Sequence, residues 1–184
     1  HGGLSPLGQR AIRRINELGG LVDVSQSSLS ATMQAVELSS APVIASHSNV
    51  RALCDVSRNL SDVEIDAIAA GGGVIHVAPF RGYLFDTTNQ QLVDAIRNAR
   101  LGAGLPEKYL YPFELYWEIK DPDAQAAFRD SISGLLGPGS LDSLMNHIDY
   151  IVHRVGVDHV GIGTDFNHGG GMRGFNEASD APNV

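Results

Sequence analysis

The sequence predicts an α/β fold built on parallel strands, and three observations carry that expectation. Short apolar runs rich in β-branched residues alternate with longer segments whose apolar residues recur at roughly helical spacing. Serines and glycines stand where helices start and stop. Three of the strand-like runs lead into small polar residues with one chemically capable side chain among them: Gln26, His47 and Asp165.

Taken in order, Ser5 is placed to cap a first helix, with Pro6 at its first position and Leu7, Ile12, Ile15 and Leu18 along it. Gly19-Gly20 ends that helix, because the left-handed position after a helix favours glycine. Leu21 to Val24 reads as a short strand closing on Ser25-Gln26-Ser27-Ser28. Ser28 or Ser30 caps a second helix carrying Met33, Val36 and Leu38. Pro42 to Ala45 is too short for a helix and reads as a buried parallel strand, with His47 at its end. Ser61 caps a third helix along Val63, Ile65, Ala67 and Ile68, stopped by Gly71-Gly72-Gly73. Val74 to Ala78 is the next strand.

From Pro79 the pattern loosens through Gln91, Gly102 and Pro106. The stretch from Glu107 to Leu136 is aromatic, with breaks at Pro112 and Pro122. A disordered linker would not be so aromatic, so a helical insertion is expected over about residues 86–139. Gly137-Pro138-Gly139-Ser140 breaks it. Leu141 to Val155 is then a helix with Leu144, Ile148, Ile151 and Val152 on one side. Gly156 ends it, and His159 to Gly163 is the last strand, delivering Thr164-Asp165-Phe166-Asn167.

Four strands separated by helices imply parallel pairing with crossover connections. Two architectures fit: an open doubly wound sheet, or part of a (β/α)8 barrel. A whole barrel needs about 250 residues, and this chain has 184, so four units would be half of one.

Composition narrows the partners. Hydrophobic content of 43% and charged content of 18% are those of a soluble globular protein. A net charge of −8 with no basic stripe argues against nucleic acid. Cys54 is the only cysteine, which leaves no intramolecular disulfide and no cysteine-based zinc site. No apolar run is long enough to span a membrane. The chain opens on His1-Gly2-Gly3 and closes on Asp180-Ala181-Pro182-Asn183-Val184, the ends expected of a piece of a longer protein. The compartment is therefore left open.

The strand ends bring Gln26, His47 and Asp165 to one rim. Period-two alternation places Val22, Val24 and Gln26 on one face, and likewise Val43, Ala45 and His47, and Gly161, Gly163 and Asp165. The two glycines are expected to leave room beneath Asp165. Arg58 follows His47 by eleven residues, just before the turn and cap signal Asn59-Leu60-Ser61-Asp62. Each residue alone has an ordinary explanation: a strand-end histidine, a capping aspartate, a surface arginine. Their shared position makes the joint case.

The stretches LSPLGQRAIRRINELGGLVDVSQSS, APVIASHSNVRAL followed by SRNLSD, GGGVIHV, and NHIDYIVHRVGVDHVGIGTDFN resemble the carboxyl-terminal half of the renal (membrane) dipeptidase family, a branch of the amidohydrolase superfamily. They run in the family's order over nearly the whole chain. The resemblance implies a (β/α)8 TIM-barrel type fold of which this chain supplies the last four βα units. It implies two zinc ions and hydrolysis of dipeptides, often with a D-residue at the carboxyl end. It implies that His47 ligates the second zinc, that Arg58 grips the substrate carboxylate, and that Asp165 takes the proton of the nucleophilic water and passes it to the leaving amine.

Two departures matter. Where the family has a second-zinc histidine at the end of strand five, this chain has Gln26, whose neutral amide oxygen is a poor zinc ligand. Either the second metal binds weakly, or Gln26 holds a water, or one metal suffices; His76 and His168 are weaker recruits. The family's strand-one H-x-D pair, bridging carboxylate and carbonyl-polarising histidine have no counterpart here. Three readings compete: the carboxyl half of a zinc dipeptidase active only with its amino-terminal half, an impaired relative that binds or supports, and a complete doubly wound ligand-binding domain. The last lacks a glycine-rich phosphate loop after its first strand. Half a barrel would bare strand edges, so the chain alone is expected to be unstable or to pair as a homodimer.

Overall fold

The computed structural model describes residues 2–184. Helix α1 (Pro6–Glu17) begins where Ser5 accepts a hydrogen bond from the Gly8 amide, and the chain turns away at Gly19, whose φ of 73° suits a residue without Cβ. Helix α2 (Leu29–Leu38) is capped by Ser28, which accepts from Ala31 N at 3.3 Å. Helix α3 (Asp62–Ala70) starts with the Glu64 carboxylate folded back to accept from the Ser61 amide and hydroxyl. Helix α6 (Leu141–Val155) starts at Ser140, which accepts from Ser143 N.

Three parallel strands, β1 (Ile44–Ala45), β2 (Val74–Val77) and β3 (Val160–Ile162), lie in the order of the sequence. Ala45 pairs with Ile75, and His76 with Gly161. The strand expected over Leu21 to Val24 is reduced to one parallel bridge, Asp23 to Ile44. Two backbone bonds make it: Val24 N to Ile44 O and Ile44 N to Val22 O. Among the described residues this segment has a strand neighbour on one side only, so half its backbone groups have no ladder to join.

A doubly wound sheet reverses its strand order at a switch point. This one does not. Helices α1, α2, α3 and α6 also pack in a row, each on the next. The fold is α/β of the TIM-barrel type, and the chain forms part of such a barrel.

The apolar core lies between the strands and this row. Val22, Val24, Val43, Ala45, Ile75 and Val77 face it and are buried with Ile12, Ile65, Ile68, Leu144 and Ile151 from the helices. The other sheet face carries Asp23, Ser46, His76, Gly161 and Gly163. The expected common face is thereby corrected. Gly161 and Gly163 lie opposite the valines, and they leave room for His76 and the Ser46 carbonyl rather than for Asp165.

Between β2 and α6 stands a second apolar cluster. Helix α4 (Gln90–Gly102), inside the insertion expected over about residues 86–139 but not delimited from the sequence, packs on α5 (Pro122–Leu136). Ile96, Phe128 and Ile132 are buried there with Tyr83, Phe85 and Cys54. The Cys54 thiol is fully buried, and that burial pushes its pKa up to about 12. Arg100 is fully buried too. Its guanidinium donates to the carbonyls of Pro106, Pro112 and Glu114 and lies 5.0 Å from the Tyr109 ring centre. One side chain thus fixes the arch of residues 105–119.

Candidate active site

His47 sits just past β1, and its surroundings explain its orientation. Its amide donates to Ser25 Oγ at 3.0 Å. The Asp23 carboxylate accepts from Ser25 N, Ser46 N and the Ser46 hydroxyl, the last at 2.5 Å. Partial burial pushes the Asp23 carboxyl up, but these hydrogen bonds, the Ser46 side chain first, outweigh it and hold the pKa below the ordinary value. Because Ser46 gives its proton to Asp23, its oxygen accepts from His47 Nδ1 at 2.8 Å. Nδ1 therefore carries the ring proton and Nε2 the lone pair. Gln26 Nε2 lies 2.8 Å from that lone pair and donates to it. Below His47, Asn49 and Ala78 exchange two bonds of 3.0 Å, Asn49 Nδ2 to Ala78 O and Ala78 N to Asn49 Oδ1, which tie the loop to the end of β2.

Gln26 reaches this position by leaving strand geometry. Its φ is 67°, and Asp165 likewise has φ 50°. Both are non-glycine residues in left-handed conformation, which breaks period-two alternation at the rim. The rim side chains converge through turns, not through strand register. Alternation predicts neither.

Arg58 ends a loop closed by the bridge Val50 to Leu60 and held by buried Asn59, whose amide donates to the Cys54 and Tyr83 carbonyls at 2.9 Å each. Arg58 Nε and Nη2 both donate to the Tyr83 hydroxyl, at 3.0 and 2.8 Å. Its guanidinium carbon lies 5.3 Å from the Tyr83 ring centre and 5.6 Å from that of Tyr111. Burial keeps the Tyr83 phenol above its ordinary pKa, with Arg58 pulling against it, so the hydroxyl stays protonated. No carboxylate pairs with Arg58 among the described residues. Its Nη1 side is free for a ligand.

Asp165 has a side chain only 10% exposed, and its Oδ1 lies 3.4 Å from His168 Nδ1. Its carbonyl accepts from His168 N and Gly170 N, which fixes the turn. Gln26, Arg58, Asp165 and His168 line one cleft of about 430 Å³ together with Tyr111, Tyr116 and Trp117. The structure thus brings three of the four sequence-derived residues into one cleft. The fourth, His47, is one hydrogen bond away through Gln26.

Among the described residues no three His, Cys, Asp or Glu side chains gather as a metal site. The residues present do not fit a metal centre by themselves: the Gln26 amide covers the His47 lone pair, and the one imidazole that lines the cleft, His168, has only Asp165 beside it. His76 lies on the opposite face from the core with Nδ1 3.3 Å from the Ala45 carbonyl, and His168 lies beside Asp165. Sequence reasoning missed Asp23, Ser46, Tyr83 and Tyr111. Asp23 was findable, because it alternates with Val22 and Val24 and must face away from their core. Tyr83 lies beyond the strand, in a short 3-10 turn (Arg81–Tyr83), and carries no such signal.

The sequence model of the family described as membrane dipeptidase (peptidase family M19) matches residues 1–184. A crystal structure of the probable dipeptidase PvdM from Pseudomonas aeruginosa is 40% identical, with a TM-score of 0.80 over 99% of this chain and 47% of that one. A metallo peptidase from Rhodobacter sphaeroides, bound to a phosphinate mimic of L-Ala-D-Ala, shares the fold at 22% identity and a TM-score of 0.69, over 100% of this chain and 39% of that one. Dipeptidase aclJ of Aspergillus oryzae is 27% identical over 185 residues, which cover 100% of this chain and 33% of that protein. The chain spans about a third to a half of the length of these relatives.

Proposed function

The chain belongs to the membrane dipeptidase family, and from that premise we propose that it forms the substrate-anchoring wall of a dipeptide-hydrolysing site. Arg58 binds the terminal carboxylate of the dipeptide, held ready by Tyr83 and by the faces of two rings. Asp165, nearly buried across the same cleft, takes a proton from the attacking water and gives it to the leaving amine. The observation that carries this reading is the cleft itself, which unites a cation without a carboxylate partner with a nearly buried carboxylate.

A metal belongs to this reading because neighbouring structures are described as metallo peptidases. We take it to be zinc, and His47 is the ligand this chain would contribute. That needs the Gln26 amide to leave Nε2. The other ligands would come from outside the chain, so the chain alone is expected to be inactive. Tolerance for a D-residue at the carboxyl end is carried over from the family resemblance.

The test uses the protein at its natural length. Replacing Arg58→Ala should raise KM for dipeptides by about 10- to 100-fold, the value of a charge-assisted contact, with kcat nearly unchanged. An unmoved KM removes the anchor. The Gln26 contact favours a second reading, a relative whose metal site is disabled and which binds or supports without cleaving. Purified protein with neither zinc nor dipeptide hydrolysis would establish that one.

A further inference from the structure

We propose that the arch over residues 105–119 is the specificity element of this cleft, and that it selects dipeptides whose carboxyl-terminal residue carries a bulky apolar side chain. The inference rests on the reading of Arg58 as the carboxylate anchor and extends it to the group beside the carboxylate. A carboxyl group and its side chain share one carbon. Whatever Arg58 holds must therefore place that side chain against the surface next to the guanidinium. That surface is Tyr111, whose ring lies 5.6 Å from the Arg58 carbon. Tyr116 and Trp117 continue the wall, edge to face with ring centres 5.5 Å apart.

The wall is built to hold its place. Arg100 fixes the arch through three carbonyls from beneath. Ser57, the neighbour of Arg58, donates from both its amide and its hydroxyl to the Leu110 carbonyl. Gln125 on α5 donates to the carbonyls of Tyr116 and Ile119 at 3.3 Å. Glu114, the arch's carboxylate in the cleft, is engaged by Leu110 N at 2.5 Å. The rings of Tyr111, Tyr116 and Trp117 thus stand beside a carboxylate that is tied to the arch's own backbone. Trp117, with Tyr116 against its ring, is still 48% exposed and leaves apolar surface open to solvent. A preorganised aromatic wall beside a fixed cation suits an apolar side chain next to a carboxylate.

Trp117 stands in the wall itself, so the emission that Trp117→Phe removes reports binding apart from hydrolysis. The natural-length protein is titrated with glycylglycine, glycyl-leucine and glycyl-phenylalanine while the emission lost in Trp117→Phe is followed, and cleavage is measured in parallel. The expected result is affinity for glycyl-phenylalanine and glycyl-leucine about tenfold or more above that for glycylglycine. Trp117→Ala and Tyr111→Ala should each reduce that preference severalfold, and Trp117→Phe should keep it when read by competition. Equal affinities, or a preference unmoved in both alanine variants, would overturn the proposal. Selective binding without cleavage keeps the wall and removes the dipeptidase reading. Cleavage of all three dipeptides alike removes the wall and keeps the dipeptidase.

Discussion

Two regions of this molecule are held together by opposite means. The sheet and its row of helices exclude water with aliphatic side chains from five or more elements, and polar groups serve mainly as caps at the ends. The arch beside them packs on a smaller aromatic cluster and takes its shape from polar contacts, chiefly one buried cation that gathers three backbone carbonyls. Apolar burial is additive and undirected, so it builds a frame that tolerates small losses. A single polar hub gives one geometry and fails all at once. On the proposed reading, the frame positions His47 and Asp165, and the arch supplies the surface to which a substrate is matched.

The sharpest way to break the comparison is chemical. Asp165→Asn, across the cleft from the arch, should lower kcat by about 10²- to 10⁴-fold in the natural-length protein while leaving the melting temperature nearly unchanged. A loss of stability of the same order as a core deletion would mean that Asp165 serves the fold. In the frame, Ile75→Ala removes a fully buried strand residue and should cost about 2–5 kcal/mol, read as a shift of the whole melting curve.

The pH dependence follows from His147. It lies in α6, buried, with Nδ1 accepting from Val50 N at 2.9 Å, and burial lowers its pKa to about 4. The unfolded chain takes up a proton near its ordinary value of 6.5, which the folded chain refuses until about pH 4. Stability from this group is therefore complete above about pH 6.5 and falls as the pH drops towards 4, by up to roughly 3 kcal/mol. His147→Gln should flatten that slope in acid denaturation. A slope unchanged in the variant would mean that other groups set it.

Arg100→Met keeps the volume but orphans three carbonyls. The expected cost is about 2–3 kcal/mol, confined to the arch. Hydrogen exchange should accelerate over residues 105–119 while the amides of α1 to α3 keep their protection. Equal acceleration everywhere would erase the distinction between the regions. The smallest effect belongs to the surface cluster in which Arg154 pairs with Asp62 and Asp66. Arg154→Ala should produce a slight loss that added salt abolishes.

The same division decides how much could be read in advance. Helices of the frame announce themselves through Ser5, through Ser28 or Ser30, and through Ser61 and Gly71 to Gly73, because caps act on their own segment. The bounds of helix α4 within the expected insertion were not legible, because Arg100 stands on its inner stripe with Leu92 and Ile96, where a charge mimics a solvated face. Leu21 to Val24 looks like a strand by composition, yet pairing needs a neighbour and only one is present. Position and resemblance single out His47, Arg58 and Asp165, and the structure sets Arg58 and Asp165 in one cleft, with His47 a hydrogen bond away through Gln26. The Gln26 amide on the His47 lone pair was not legible, since it depends on a left-handed backbone that no local pattern specifies.

Cys54 gives the arch side of the molecule a clock. Its thiol is sealed between Val56, Phe85 and the aromatic cluster, and its raised pKa leaves it unreactive while that cluster is closed. Each opening that admits a thiol reagent leaves a covalent mark, and there is one cysteine to mark. The labelling rate therefore counts how often this side of the chain breathes, in units of time rather than of energy.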